Sequence, residues 1–191
     1  MNDPYEWFLG FGSLQSPPAL IGFPHKIPTF KTGCNAFFAG KGVVREVLTL
    51  KLMVLDGQGG GIGATLIKGL RASLGPNLEI LALGTNSIAT SRMMKAGANR
   101  GGSGENAIVQ TSQTVDVIIG PVSILMANAM MGELTPRMAI AVSSSRARKI
   151  LIPLTQEKIK IVGVSRAPLP HLVNQAVNMV QEIVEEKNHH V

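Results

Sequence analysis

The segment Leu50-Lys51-Leu52-Met53-Val54-Leu55-Asp56 runs directly into Gly57-Gln58-Gly59-Gly60-Gly61-Ile62-Gly63, and this junction constrains the fold more than any other part of the chain. A short, nearly continuous apolar run that ends in glycines suits a central parallel strand buried on both faces. Apolar side chains then recur at positions 62, 66, 70 and 74, with Ile67 widening the face and Gly75-Pro76 as a stop, which predicts a helix over 62–74. Strand, glycine turn and helix in that order point backbone N–H groups and the positive end of a helix dipole at an anion. The same glycines can also serve only to bring the helix close to the sheet.

Alternation continues downstream. The patterning predicts strands at 78–83, 107–110, 115–119, 149–153 and 159–164, and helices at 87–96, 122–131 and 136–145. Either Thr85 or Asn86 can cap the helix that starts at Ser87. Residues 99–104 read as a polar, glycine-rich loop. Thr135-Pro136 is an N-cap followed by proline at the first helical position. From Leu169, apolar residues at 172, 173, 176, 177, 180, 183 and 184 fall on one helical face. Together these predict an α/β protein with a Rossmann-like, doubly wound parallel sheet in three α/β/α layers.

A seam divides the chain. All six Phe, the single Trp and the single Tyr lie between Tyr5 and Phe38, and the first 40 residues also hold Cys34 and five of the eleven prolines. Residues 1–48 show no helical or strand period, so the domain is expected to span 49–187, followed by a frayed tail at 188–191. The expectation for 1–48 is an irregular extension upstream of the true start, with translation beginning near Leu50 at a non-ATG codon. A partner-binding tail or an aromatic cap are the other readings of that segment.

Several function classes drop out. The apolar stretch 117–132 contains Pro121, Asn128 and two glycines, so it reads as a buried strand and helix and not a membrane span. The net charge of +6 is scattered, and no aromatic residue lies among the basic ones to stack on bases. No nucleic-acid or membrane partner is therefore expected. One cysteine and no cationic leader make a cytoplasmic location the default. No Cys/His grouping has metal-ligand spacing, so no metal site is expected. Met93, Met94, Met126, Met130 and Met131 read as core filling.

The glycine loop fails as a Walker motif, because Ala64 stands where the phosphate-binding lysine belongs and Gln58 where the second lysine of deviant loops would fall. Gly57, Gly61 and Ile62-Gly63 fit the loop spacing seen in short-chain dehydrogenases, and the likeness stops there. The tyrosine of their Tyr-x-x-x-Lys pair is missing, since no tyrosine follows Tyr5. The second strand also ends in Leu83-Gly84-Thr85-Asn86, without the acid that holds a ribose in dinucleotide domains.

Five further segments carry a wider resemblance: residues 56–63, Ala82-Leu83-Gly84-Thr85-Asn86, Lys95-Ala96-Gly97-Ala98-Asn99, Gly104-Glu105-Asn106-Ala107 and Asp116-Val117-Ile118-Ile119-Gly120-Pro121. With them the run from Leu50 to about Glu186 resembles a small bacterial family known only as a domain of unknown function. The resemblance implies a short protein that begins at the first strand. Its pattern often carries a lysine where this chain has Ala64, and it brings no activity to carry over.

In an open parallel sheet, ligands sit beyond the carboxyl ends of the strands. The binding residues expected there are Gly57, Gln58, Gly59, Gly60, Gly61, Gly63, Thr85, Asn86, Gly120 and Pro121, with Asp56 and Glu105 as candidate general bases or cation ligands. The expected partner is a small phosphate-bearing ligand, NAD(P) or an adenine nucleotide, in a regulatory module. Two alternatives stand beside it: an enzyme, either an NAD(P)-dependent reductase or one acting on a small phosphorylated substrate, and a partner-binding domain that homodimerises through its Met-rich helix.

Overall fold

The computed structural model describes residues 50–154, 158–164 and 167–189. Leu52, Met53, Val54 and Leu55 are all 0% exposed, as a strand covered on both faces requires. They belong to β1, Lys51–Asp56, which pairs in parallel with β2, Glu79–Gly84, on one side and with β4, Val117–Pro121, on the other. Beyond β2 lies β3, Arg100–Ser103, and beyond β4 lies β5, Arg148–Ile152. The order is β3-β2-β1-β4-β5 and every pairing is parallel. The chain leaves β1 toward one edge and returns to β4 on the other side, so the topological switch lies between β1 and β4.

Side chains alternate across the sheet. Leu52, Val54, Ile80, Ala82, Val117 and Ile119 face one core, which is closed by α1 (Gly61–Leu74), α2 (Ser87–Lys95) and α5 (Leu169–His189). Met53, Leu55, Leu81, Leu83 and Ile118 face the other, which is closed by α3 (Glu105–Ser112) and α4 (Pro136–Ser144). The architecture is the three-layer, doubly wound α/β arrangement that the alternating pattern predicts. Thr135 caps α4 through Met138 N, with proline opening the helix.

Four local expectations need correction. Residues 107–110, expected as a strand, lie within α3. The third strand is Arg100–Ser103, expected as loop, and its Gly101-Gly102 pair has no apolar pattern to read. Those glycines have a packing reason: a Cβ on Gly101 would sit 2.9 Å from Met94 Cγ and Thr90 Cγ2, and one on Gly102 would sit 3.1 Å from Ala107 Cβ. Residues 122–131 form only a short 3-10 helix, Val122–Leu125, followed by a looped segment. Asn128, Met130 and Met131 there adopt positive φ, which no α-helix tolerates. Residues 159–164 form no strand; Val162 is 98% exposed and Gly163 turns at φ 82°. The methionines divide accordingly, since Met93 and Met130 are buried whereas Met131 is 92% exposed and fills no core. The expectations for residues 1–49 lie outside the described residues.

Candidate functional site

The turn between β1 and α1 is held by its own backbone. Gly60 N donates to Gly57 O at 2.9 Å, and both Gln58 (φ 51°) and Gly60 (φ 63°) are left-handed. Asp56 closes the turn from beneath. Its carboxylate accepts from Gly57 N at 2.8 Å and Gly63 N at 2.7 Å, and also from the Ile62 amide. The side chain thus neutralises donors at the start of α1 from inside the protein. Burial pushes the Asp56 carboxyl above its ordinary value, and this outweighs the opposing pull of the Gly63, Gly57 and Ile62 amides and the Arg92 guanidinium.

A second carboxylate meets the loop from above. Glu133, on the connection between β4 and α4, places Oε2 2.8 Å from Gln58 N, 2.5 Å from Thr85 Oγ1 and 2.8 Å from Asn86 Nδ2. Asn86 also caps α2 by accepting from Ala89 N, and donates to Gln58 O at 3.0 Å. Burial pushes Glu133 up, but the hydrogen bonds from Thr85, Gln58 and Asn86 together hold it below 4.5. A folded-state pKa that is depressed means stabilisation present above 4.5 and lost as pH falls through the folded value. Wild type is therefore expected to exceed Glu133→Gln in stability at neutral pH, and the gap to close in acid. Urea unfolding of both proteins from ~pH 7 down to ~pH 3 checks this, and a gap unchanged in acid would contradict it.

The outer face of the loop is different. The amides of Gly59 and Gly61 have no protein partner among the described residues. The Arg92 guanidinium lies against them, donating to Gly59 O at 3.0 Å. A Cβ placed on either glycine would be 3.6 Å from Arg92 Nη1, ordinary contact distance, so no packing demand keeps these two positions glycine. By contrast a Cβ on Gly60 would lie 2.7 Å from Ala89 Cα, and one on Gly57 would press on Met130, Thr85 and Glu133.

The remaining expected residues are placed as follows. Gly63 lies in the first turn of α1, where Met93 and Asp56 leave no room for a side chain. Gly120 and Pro121 are buried at the end of β4, and a Cβ on Gly120 would run into Leu55 O. Glu105 opens α3 away from the loop, accepting from Thr135 Oγ1 at 2.6 Å and pairing with Arg137 at 3.3 Å. The structure thus brings Asp56, Gln58, Thr85 and Asn86 together at one carboxylate-lined turn, and leaves Glu105 among α4 partners. Sequence reasoning missed Glu133 and Arg92. A helix expected through residue 131 hid the looped connection that delivers Glu133 to the carboxyl ends of β1 and β2. Arg92 was legible only in the backward tilt of helical side chains, which carries it toward the loop.

A cavity of about 770 Å³ lies at the opposite end of the sheet, lined by Leu50, Val115, Asp116, Arg146 and Arg148 among others. Four of its charged residues are already paired, Arg148 with Glu186 and Asp116 with Lys187. It also faces the amino ends of the strands, where open parallel sheets do not place ligands. The glycine turn is the better candidate. Among the described residues, no group of three or more His, Cys, Asp or Glu is placed to hold a metal, and no helix is long and apolar enough to cross a membrane.

Residues 51–185 match the model of a family described as Domain of unknown function (DUF3842), and the chain belongs to that family. No curated protein matches the sequence significantly. A solved structure of a universal stress protein in complex with cAMP is similar over 55% of this chain and 98% of its own, at 17% identity and a TM-score of 0.33. The fold assignment rests on the strand order and not on that likeness.

Proposed function

We propose that this member of the family binds a phosphate-bearing small molecule, an adenine nucleotide or NAD(P), at the carboxyl end of β1. One observation carries the reading: among the described residues the amides of Gly59 and Gly61, at the start of α1, have no protein partner, and the Arg92 guanidinium lies beside them. A phosphate accepts from backbone N–H groups and from a guanidinium, and the helix dipole favours its charge. The packing requirement that explains Gly57, Gly60 and Gly63 does not explain Gly59 and Gly61. Binding, as in a regulatory module, is favoured over catalysis because both candidate bases are engaged. Asp56 is held by the Gly57 and Gly63 amides, and Glu105 by Thr135 and Arg137.

Calorimetric titration with NAD, NADP, ATP and ADP tests this. At least one is expected to bind, and Arg92→Gln or Gly59→Val is expected to weaken it about tenfold or more, the loss of a charge-assisted hydrogen bond or of access to the amides. Gly59→Val folds normally on this account, because a Cβ there would meet only Arg92 Nη1, at a contact distance of 3.6 Å. Binding of none of the four, or binding indifferent to both substitutions, overturns the reading.

A further inference from the structure

The three donors that meet on Glu133 Oε2 are a backbone amide, a hydroxyl and a carboxamide, at 2.8, 2.5 and 2.8 Å. That is the set of contacts a phosphoryl oxygen makes at a glycine loop, and here a carboxylate of the protein makes them. The Gln58 amide in this set is the chain neighbour of the Gly59 amide, so the two anion positions are contiguous. Resting on the proposed phosphate site at Gly59, Gly61 and Arg92, we infer that Glu133 occupies a second anion subsite, and that the ligand is a diphosphate whose second phosphoryl group displaces the Glu133 carboxylate.

Charge supports the displacement. With Glu133 in place, a second phosphoryl group beside the first would meet a like charge at close range. With Glu133 swung out, the same group finds Gln58 N, Thr85 Oγ1 and Asn86 Nδ2 already aimed at it. The carrier of Glu133 is suited to the movement. Its flanking residues Ala129 and Leu134 are anchored in the core, while Asn128, Met130 and Met131 all sit in the left-handed region that side chains disfavour. Strain of this kind persists where surrounding contacts hold it, and clusters at ligand clamps and switch segments. A monophosphate needs only the Gly59–Gly61–Arg92 position and leaves Glu133 where it is.

The test compares orthophosphate with pyrophosphate on the full-length chain, as wild type, Glu133→Gln and Glu133→Ala, by calorimetry and by amide NMR. A plug in place in about nine molecules of ten lowers apparent affinity about tenfold, so Glu133→Ala is expected to raise pyrophosphate affinity by about that factor. Orthophosphate affinity is expected to change less than about twofold, and Glu133→Gln to fall between, since it keeps an acceptor oxygen without the charge. In wild type, the Gln58 amide and the Asn86 carboxamide signals are expected to shift with pyrophosphate and not with orthophosphate. If both anions bind and Glu133→Ala improves neither, or improves both equally, the inference falls and the Gly59–Gly61–Arg92 site stands. If neither anion binds any of the three proteins, both fall. Should Glu133→Ala not fold, wild type decides alone: a Gln58 signal that stays still while that of Gly61 moves with pyrophosphate overturns the inference.

Discussion

Gly60→Ala is expected to destabilise the domain by roughly 2–5 kcal/mol, the left-handed penalty of about 1–2 plus an overpacking cost of about 1–3. The residue sits at φ 63°, and an added Cβ would lie 2.7 Å from Ala89 Cα and 2.8 Å from Ala89 O. Those are main-chain atoms of α2, so no rotamer change relieves the clash. Either α2 withdraws from the turn or α1 loses its N-cap geometry. Gly61→Ala, one residue on, is expected to be neutral or to stabilise by up to about 1 kcal/mol, because glycine in a helix costs backbone entropy. Urea unfolding midpoints of the two variants against wild type measure the contrast. Equal losses for both would mean that the loop is uniformly packed and that no open side exists.

Asp56→Ala is expected to cost about 3 kcal/mol or more. It leaves the Gly57, Ile62 and Gly63 amides without their acceptor in a place where the side chain is 4% exposed, and each buried unsatisfied N–H costs about 1–3 kcal/mol. Water entering the vacated space would offset part of this. The pH dependence has a definite sign. Burial raises the Asp56 pKa above 3.8, so the group favours the fold when protonated. Its contribution is complete below 3.8 and is lost as pH rises through the higher folded value. The stability cost of Asp56→Ala should therefore be larger in acid than at neutral pH, opposite in direction to Glu133→Gln. Parallel denaturation curves at several pH values distinguish the two, and a shared direction would contradict the assignment of burial to one carboxylate and donor contacts to the other.

Much of the fold was legible because it is written in long periodic runs. The helical face from Ile62 to Leu74 placed α1 within a residue, the one that begins at Leu169 placed the start of α5, which stays helical to His189 into the segment expected as a frayed tail, and the unbroken Leu52-Met53-Val54-Leu55 run placed β1. Short segments misled. Ala107-Ile108-Val109 is apolar enough for a strand, yet so brief that its period cannot separate strand from helix turn. Arg100–Ser103 lacks apolar residues because its two glycines make room for Met94, Thr90 and Ala107. Left-handed methionines at 130 and 131 have no sequence signature at all.

The site divides the same way. The glycine turn, Thr85, Asn86 and Asp56 could be placed from motif order alone. What occupies the amides could not. Asp56 turns back on its own loop, a local choice that spacing leaves open, and Glu133 arrives from 75 residues away in sequence. That contact exists only once the parallel order sets the β4–α4 connection beside the β1 turn.

The most direct measurement follows backbone amide and Arg92 side-chain NMR signals while ADP is added to the wild-type protein. The account predicts that Gly59, Gly61 and Arg92 shift together and saturate along one binding curve. Saturable shifts confined to Leu50, Val115, Arg146 and Arg148, or no shift at Gly59 and Gly61 with ADP, NAD, NADP or ATP, would contradict it.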